Sequence, residues 1–135
     1  MTSAQDRIIA AVDRLFDEQV EFLETLIGFQ SLRNEEAAAQ DFIASALTKR
    51  GFTVSRFRTD SSKIGEHPAF SPTTVNYDNS WNVVGLKPST GNGGRSLAFN
   101  SHVDVVPAGS KDRWASPPSS HAGMATGSMG AAQAT

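Results

Sequence analysis

The period of the apolar residues changes partway along the chain, and that change limits the fold more than any single residue does. Ile8, Val12, Leu15, Phe16, Val20, Leu23, Leu26 and Ile27 recur at three- and four-residue intervals, the spacing that lines one face of an α-helix. They predict an amphipathic helix from about Ser3 to Ile27, with Ser3 as its N-cap. A second helix is expected from Asn34, whose side chain can cap, with Glu35 and Glu36 at its positive end. Its apolar face is Ala38, Phe42, Ala46 and Leu47, and Gly51 after Lys49-Arg50 reads as the stop. Beyond Gly51 the period falls to two. Phe52 to Phe57 alternates as a half-buried strand should, and Trp81 to Leu86 and Ser96 to Asn100 read as further strands. A Pro-containing loop, Asp60 to Ser80, and a Gly-rich turn, Gly91 to Gly94, separate them. Two helices followed by strands predict an α/β domain, in which chemistry gathers at the carboxyl ends of strands.

Chemistry is concentrated in Asn100-Ser101-His102-Val103-Asp104-Val105-Val106-Pro107, at the end of the last apolar strand. In a strand, residues two apart share a face, so His102 and Asp104 can address one point while Val103 and Val105 pack the other way. A neutral histidine is a common zinc ligand, and a carboxylate beside it can accept a hydrogen bond that fixes the ring. The same spacing also describes a half-buried histidine paired with a surface aspartate, and both readings stand on these residues alone.

The wider context, Leu97 to Gly109 followed by Asp112-Arg113-Trp114 and Pro117-Pro118, resembles the N-terminal part of one family. This is the dinuclear zinc deacylase and peptidase family of acetylornithine deacetylase, succinyl-diaminopimelate desuccinylase, aminoacylases and glutamate carboxypeptidases. Its pattern is an apolar strand, a small residue, His-x-Asp-Val-Val-Pro-x-Gly, a spacer, Trp and Pro-Pro-Phe. Here Ser101 stands where Gly is usual and Ser119 where Phe is expected. Ser31-Leu32-Arg33-Asn34-Glu35 is similar to the family's entry to the second helix, and Trp81 to Gly85 to the strand before the metal strand. The resemblance implies a mixed sheet flanked by helices, truncated here to the front of a catalytic domain over residues 1–118. It also implies hydrolysis of the amide bond of an N-acyl amino acid or small peptide. Two zinc ions, or cobalt in their place, would hold a bridging water whose proton a Glu removes. By the same resemblance His102 is a metal ligand and Asp104 the catalytic-site carboxylate that orients it, and the intact family leaves room for a homo-oligomer.

After Arg113 no charged residue follows, and from Ser119 Ala, Gly, Ser and Thr predominate, a composition that cannot build a core. Residues 119–135 read either as a low-complexity tail or as the right gene in the wrong frame. If one base is lost near Pro118, the single codon of Met forces glycine after both Met124 and Met129. The stretch Met124 to Thr135 then permits Asp-Gly-Asp-Trp-Leu-Tyr-Gly-Arg-Gly-Ala-Gly-Asp, which resembles the family's next motif. An Asp-Met-Lys continuation would be misread as Thr and stop. On that reading the bridging Asp, the Glu base and the other ligands of the family have no counterpart here. One His and one Asp cannot hold two zinc ions, because zinc takes about four ligands.

The remaining features exclude more than they assign. The 135 residues carry a formal charge of −2 with no basic stripe, so nothing favours nucleic acid or an anionic membrane surface. There is no cysteine, which leaves His, Asp and Glu for any metal. No apolar run is long enough for a secretory or membrane-spanning segment, so a cytoplasmic protein is expected. His67 and His121 read as surface residues, Glu35 and Glu36 as a helix-dipole pair rather than an acid/base pair, and Trp81 and Trp114 as packing residues, Trp114 near the site entrance. Two further functional readings accompany the hydrolase fragment. One is a small hydrolase completed by a partner chain, and the other a non-enzymatic interaction module built on the helix from Ser3 to Ile27.

Overall fold

The computed structural model describes residues 3–72, 77, 79–91 and 93–120. The chain divides into two units: one contains the N-terminal helices as far as Phe29 and the segment from Ala108, and the other is Gln30–Pro107.

In the first unit, helix α1 (Ala4–Arg14) begins in a capping box: the Ser3 hydroxyl accepts from the Asp6 amide at 3.0 Å, and the Asp6 carboxylate accepts from the Ser3 amide at 2.9 Å. These bonds favour the ionised acid, so the Asp6 carboxyl lies below the ordinary aspartate range, the Ser3 hydroxyl being the largest cause. Helix α2 (Phe16–Ile27) follows after Leu15 alone, at φ −98° and ψ 6°. The Leu15 amide is shared between the Ala11 and Val12 carbonyls at 3.1 and 3.2 Å, a tightening of the turn with no proline or glycine present. The Gln19 amide still reaches the Leu15 carbonyl at 3.0 Å. The span expected as one helix is thus nearly continuous. Its apolar face is covered unevenly: Val20, Leu26 and Ile27 are half-buried, whereas Ile8 and Phe16 are 65% and 59% exposed. A turn of 3-10 helix, Lys111–Arg113, and a bond from the Trp114 indole to the Ala108 carbonyl at 2.9 Å close the loop that follows Gly109.

In the second unit, helix α3 (Ala37–Lys49) packs on strands β1 (Thr53–Arg58) and β2 (Trp81–Leu86), which pair antiparallel with Val54 opposite Gly85. The helix approaches closely because it presents alanines: Ala39 is fully buried and Ala46 nearly so. Gly85 is small for the same reason, since a Cβ there would lie 3.0 Å from Leu47 Cδ1 and 3.2 Å from Phe52 Cδ1. Gly51, at φ +78°, ends α3 as expected. Lys87, one residue beyond β2, donates to the Arg50 carbonyl at 3.0 Å, a cation on the negative end of the helix. An Arg56–Asp41 ion pair joins β1 to α3, and the Arg58 guanidinium lies 4.4 Å over the Trp81 ring.

Helices with a two-stranded antiparallel sheet make an α/β arrangement, and three local expectations are corrected. Asn34 is not the N-cap of α3. It sits at φ 72° and Glu36 occupies the cap position, since Asn tolerates the left-handed region and its amide donates to Glu36 Oε1 at 2.9 Å. The loop from Asp60 contains a single helical turn, α4 (Ser61–Ile64), started by the Asp60 carboxylate accepting from Ser62. Ser96–Asn100 forms no strand: Leu97 is 78% and Phe99 90% exposed. An apolar run becomes a strand only when a neighbour takes its N–H and C=O groups, and among the described residues the one pairing further along this segment is a parallel bridge between Leu32 and Val105.

Candidate functional site

His102 and Asp104 meet as their spacing predicts. His102 Nδ1 lies 3.0 Å from Asp104 Oδ1 and 3.1 Å from the Asp104 carbonyl oxygen. Both neighbours can only accept, so the geometry suits a proton on Nδ1, and in the neutral ring Nε2 then keeps its lone pair. The imidazole side chain is 82% exposed, while the Asp104 side chain is 44% exposed. Val103 turns inward and is half-buried, but Val105 stays 51% exposed, so the opposite face is only partly packed.

What holds this pair to the rest of its unit is Ser31, which lies in the link before α3 and is 4% exposed. Its hydroxyl donates to the Val103 carbonyl at 2.6 Å, and its own carbonyl accepts from the Val105 amide at 2.9 Å. In the sequence Ser31 stands out only as the start of a helix-entry motif. No periodicity could join it to a partner 72 positions away.

The other candidates separate from this pair by their own bonds. His67 Nδ1 accepts from the Ala69 amide at 3.1 Å on an exposed loop. Glu36 is engaged by the Asn34 amide and by the Ser80 hydroxyl at 3.3 Å, which ties the loop end to the helix start. Trp81 is half-buried under Arg58, and Trp114 is 45% exposed with its indole on Ala108. Asp112 lies below the ordinary aspartate range because the Ser110 hydroxyl donates to it. His121 lies outside the described residues, as does most of the 119–135 segment.

A zinc site needs about four ligands, and among the described residues no group of three or more His, Cys, Asp or Glu side chains is placed to hold a metal ion. The described residues therefore offer a single free imidazole nitrogen with an oriented ring. Alone they do not make a metal centre.

These features together describe an oriented His-Asp pair without a metal centre among the described residues. No family model matches the chain. Part of it is similar to "Succinyl-diaminopimelate desuccinylase" of Orientia tsutsugamushi strain Boryong, 31% identical over 99 residues, which cover 73% of this chain and 21% of the relative. The protein of the same name from strain Ikeda matches to the same extent, 31% over 99 residues. The chain thus spans about a fifth of the length of these curated relatives, 21%. The relationship is distant and partial, and it indicates a deacylase-like origin within a hydrolase family.

Proposed function

We propose that this chain is the front part of the catalytic domain of a metal-dependent hydrolase that cleaves the amide bond of N-acyl amino acids or small peptides. In this reading His102 is one ligand of a zinc or cobalt pair through Nε2, and Asp104 holds the ring by accepting from Nδ1–H. The observation that carries it is the 3.0 Å contact between His102 Nδ1 and Asp104 Oδ1, on a ring that is 82% exposed, so that the other ring nitrogen is open to a ligand when the ring is neutral. The similarity to a desuccinylase supports the reaction class. The remaining ligands and the general base would come from the continuation of the restored frame, and on this reading the chain alone would be inactive. Residues 119–135 are the out-of-frame reading of the segment that should supply the next ligand. The substrate is a small linear amide; nucleic acid and membrane have no part.

The test is to restore one base near the codon of Pro118 and assay the extended product on N-succinyl and N-acetyl amino acids with added zinc or cobalt. The restored protein should release the acyl acid, and His102→Gln should abolish that release. An extended frame without Asp-Gly-x-x-x-Tyr-Gly-Arg-Gly, or full activity in His102→Gln, would refute the proposal.

One observation favours a second reading. Ile8, Ile9, Val12 and Phe16 are each at least 50% exposed along α1 and the start of α2, as an interaction helix requires. Concentration-dependent self-association lost in Ile8→Glu/Phe16→Glu would support it, and a monomer at all concentrations would exclude self-association as its mode.

A further inference from the structure

We infer that Ser31 is a positioning residue for the His102–Asp104 pair, acting through the backbone on both sides of Asp104. The inference rests on the reading that His102 works through a free Nε2. In an extended segment the carbonyl of Val103 and the amide of Val105 emerge on one edge, whereas the side chains of residues 102 and 104 share a face. Ser31 takes both edge groups: its hydroxyl donates to the Val103 carbonyl at 2.6 Å and its carbonyl accepts from the Val105 amide at 2.9 Å. The two bonds bracket Asp104 and restrict the torsions that aim its carboxylate at His102 Nδ1, 3.0 Å away.

The clamp matters because little else restrains the segment. Val106, immediately beyond it, is 84% exposed, and Phe99, three residues before His102, is 90% exposed. Ser31 itself is 4% exposed, so water cannot readily replace its hydroxyl, and removing that hydroxyl leaves the Val103 carbonyl short of a donor. With one edge bond gone, residues 102 to 104 sample other torsions and the ring loses its fixed acceptor. Sequence separation makes the pairing specific to the folded state, for Ser31 and Val103 are 72 positions apart.

A merely structural serine would change stability and leave the proton where it is, so the decisive readout is the tautomer of His102. It is measured on the full 135-residue chain, with ¹⁵N-labelled histidine, from long-range ¹H–¹⁵N correlations above the titration range of imidazole. His102→Gln identifies the resonances. Parent protein should hold the proton on Nδ1 with roughly fivefold preference, the size expected of one hydrogen bond to a charged, partly exposed acceptor. Ser31→Ala should erase that preference, and Ser31→Thr, which keeps the hydroxyl, should restore it. The Gly85 amide resonance reports that α3 and the sheet remain folded. If Ser31→Ala unfolds the unit, the same variant is read in concentrated sucrose, which favours the folded state, under the same criterion.

A parent-like tautomer in a folded Ser31→Ala protein overturns the positioning role and leaves the proposed function standing. A parent protein with no Nδ1–H preference overturns both, because the ring is then not oriented by Asp104 at all.

Discussion

Replacing Gly85 by valine tests the central packing relation of the second unit. A Cβ at position 85 meets Leu47 Cδ1 at 3.0 Å, Phe52 Cδ1 at 3.2 Å and Leu47 Cδ2 at 3.4 Å. Comfortable carbon contacts are about 3.5–4.0 Å, so every neighbour on that side must retreat. For alanine, overpacking of about 1 kcal/mol is opposed by about 0.4–1 kcal/mol from the loss of glycine's freedom in the unfolded chain. The net effect should be small. Valine adds two methyl groups to the same crowded face and should cost about 3 kcal/mol, a large part of the stability a unit of this size can have. The assay is urea unfolding followed by Trp81 fluorescence in a Trp114→Phe background. Because Leu47 supplies two of the three contacts, Leu47→Ala combined with Gly85→Val should be less destabilising than the sum of the single changes by about 1 kcal/mol or more. A Gly85→Val protein with the parent's urea midpoint, or single changes that simply add, would refute the packing argument.

Further outcomes follow from individual contacts. Gly51→Ala should lose about 1–2 kcal/mol from backbone strain alone, because φ is +78° and nothing lies within 4 Å of the added methyl; the urea midpoint reads it, and an unchanged midpoint would contradict the strain. The Asp6 carboxyl is depressed by its bonds with Ser3, so the cap's contribution is present above the unfolded carboxyl's pKa and is lost as pH falls through the lower folded value. The Ser3 amide resonance should therefore titrate on the acidic side of the normal aspartate range, and Asp6→Asn should abolish the titration. A flat Ser3 resonance in the parent would refute the capping box. Arg58→Ala should cost about 0.5–1 kcal/mol through the lost contact with Trp81 and shift Trp81 emission to the red; emission unchanged in wavelength would show the ring was never covered.

The elements that were legible in the sequence are those whose causes are local. Ile8 to Ile27 repeat at helical spacing whatever lies beside them, Ser3 can cap with an Asp three residues on, and Gly51 can take a positive φ. Strands over Phe52 to Phe57 and Trp81 to Leu86 are likewise legible from alternation and bounding turns, the first realised one residue later as Thr53–Arg58. The His102–Asp104 contact belongs with them, since a spacing of two places both side chains on one face before any tertiary partner is chosen. At Asn34 two local choices compete, a side-chain cap and a left-handed turn closed by Glu36, and the contacts of Ser80 with Glu36 accompany the second.

Tertiary structure decided what local causes leave open. Whether Leu97–Asn100 becomes a strand depends on a neighbour to accept its hydrogen bonds, and the described residues provide only the bridge from Leu32 to Val105. That Gly85 must stay small follows from Leu47 and Phe52 arriving over it, and neither fact is written near Gly85 in the chain. Ser31 acquires its importance in the same way, by holding Val103 and Val105 from 72 positions and more away. Periodicity and capping are properties of a few consecutive residues, so sequence alone determines them. Pairing and close approach are properties of two distant segments at once, and only the folded chain selects which two meet.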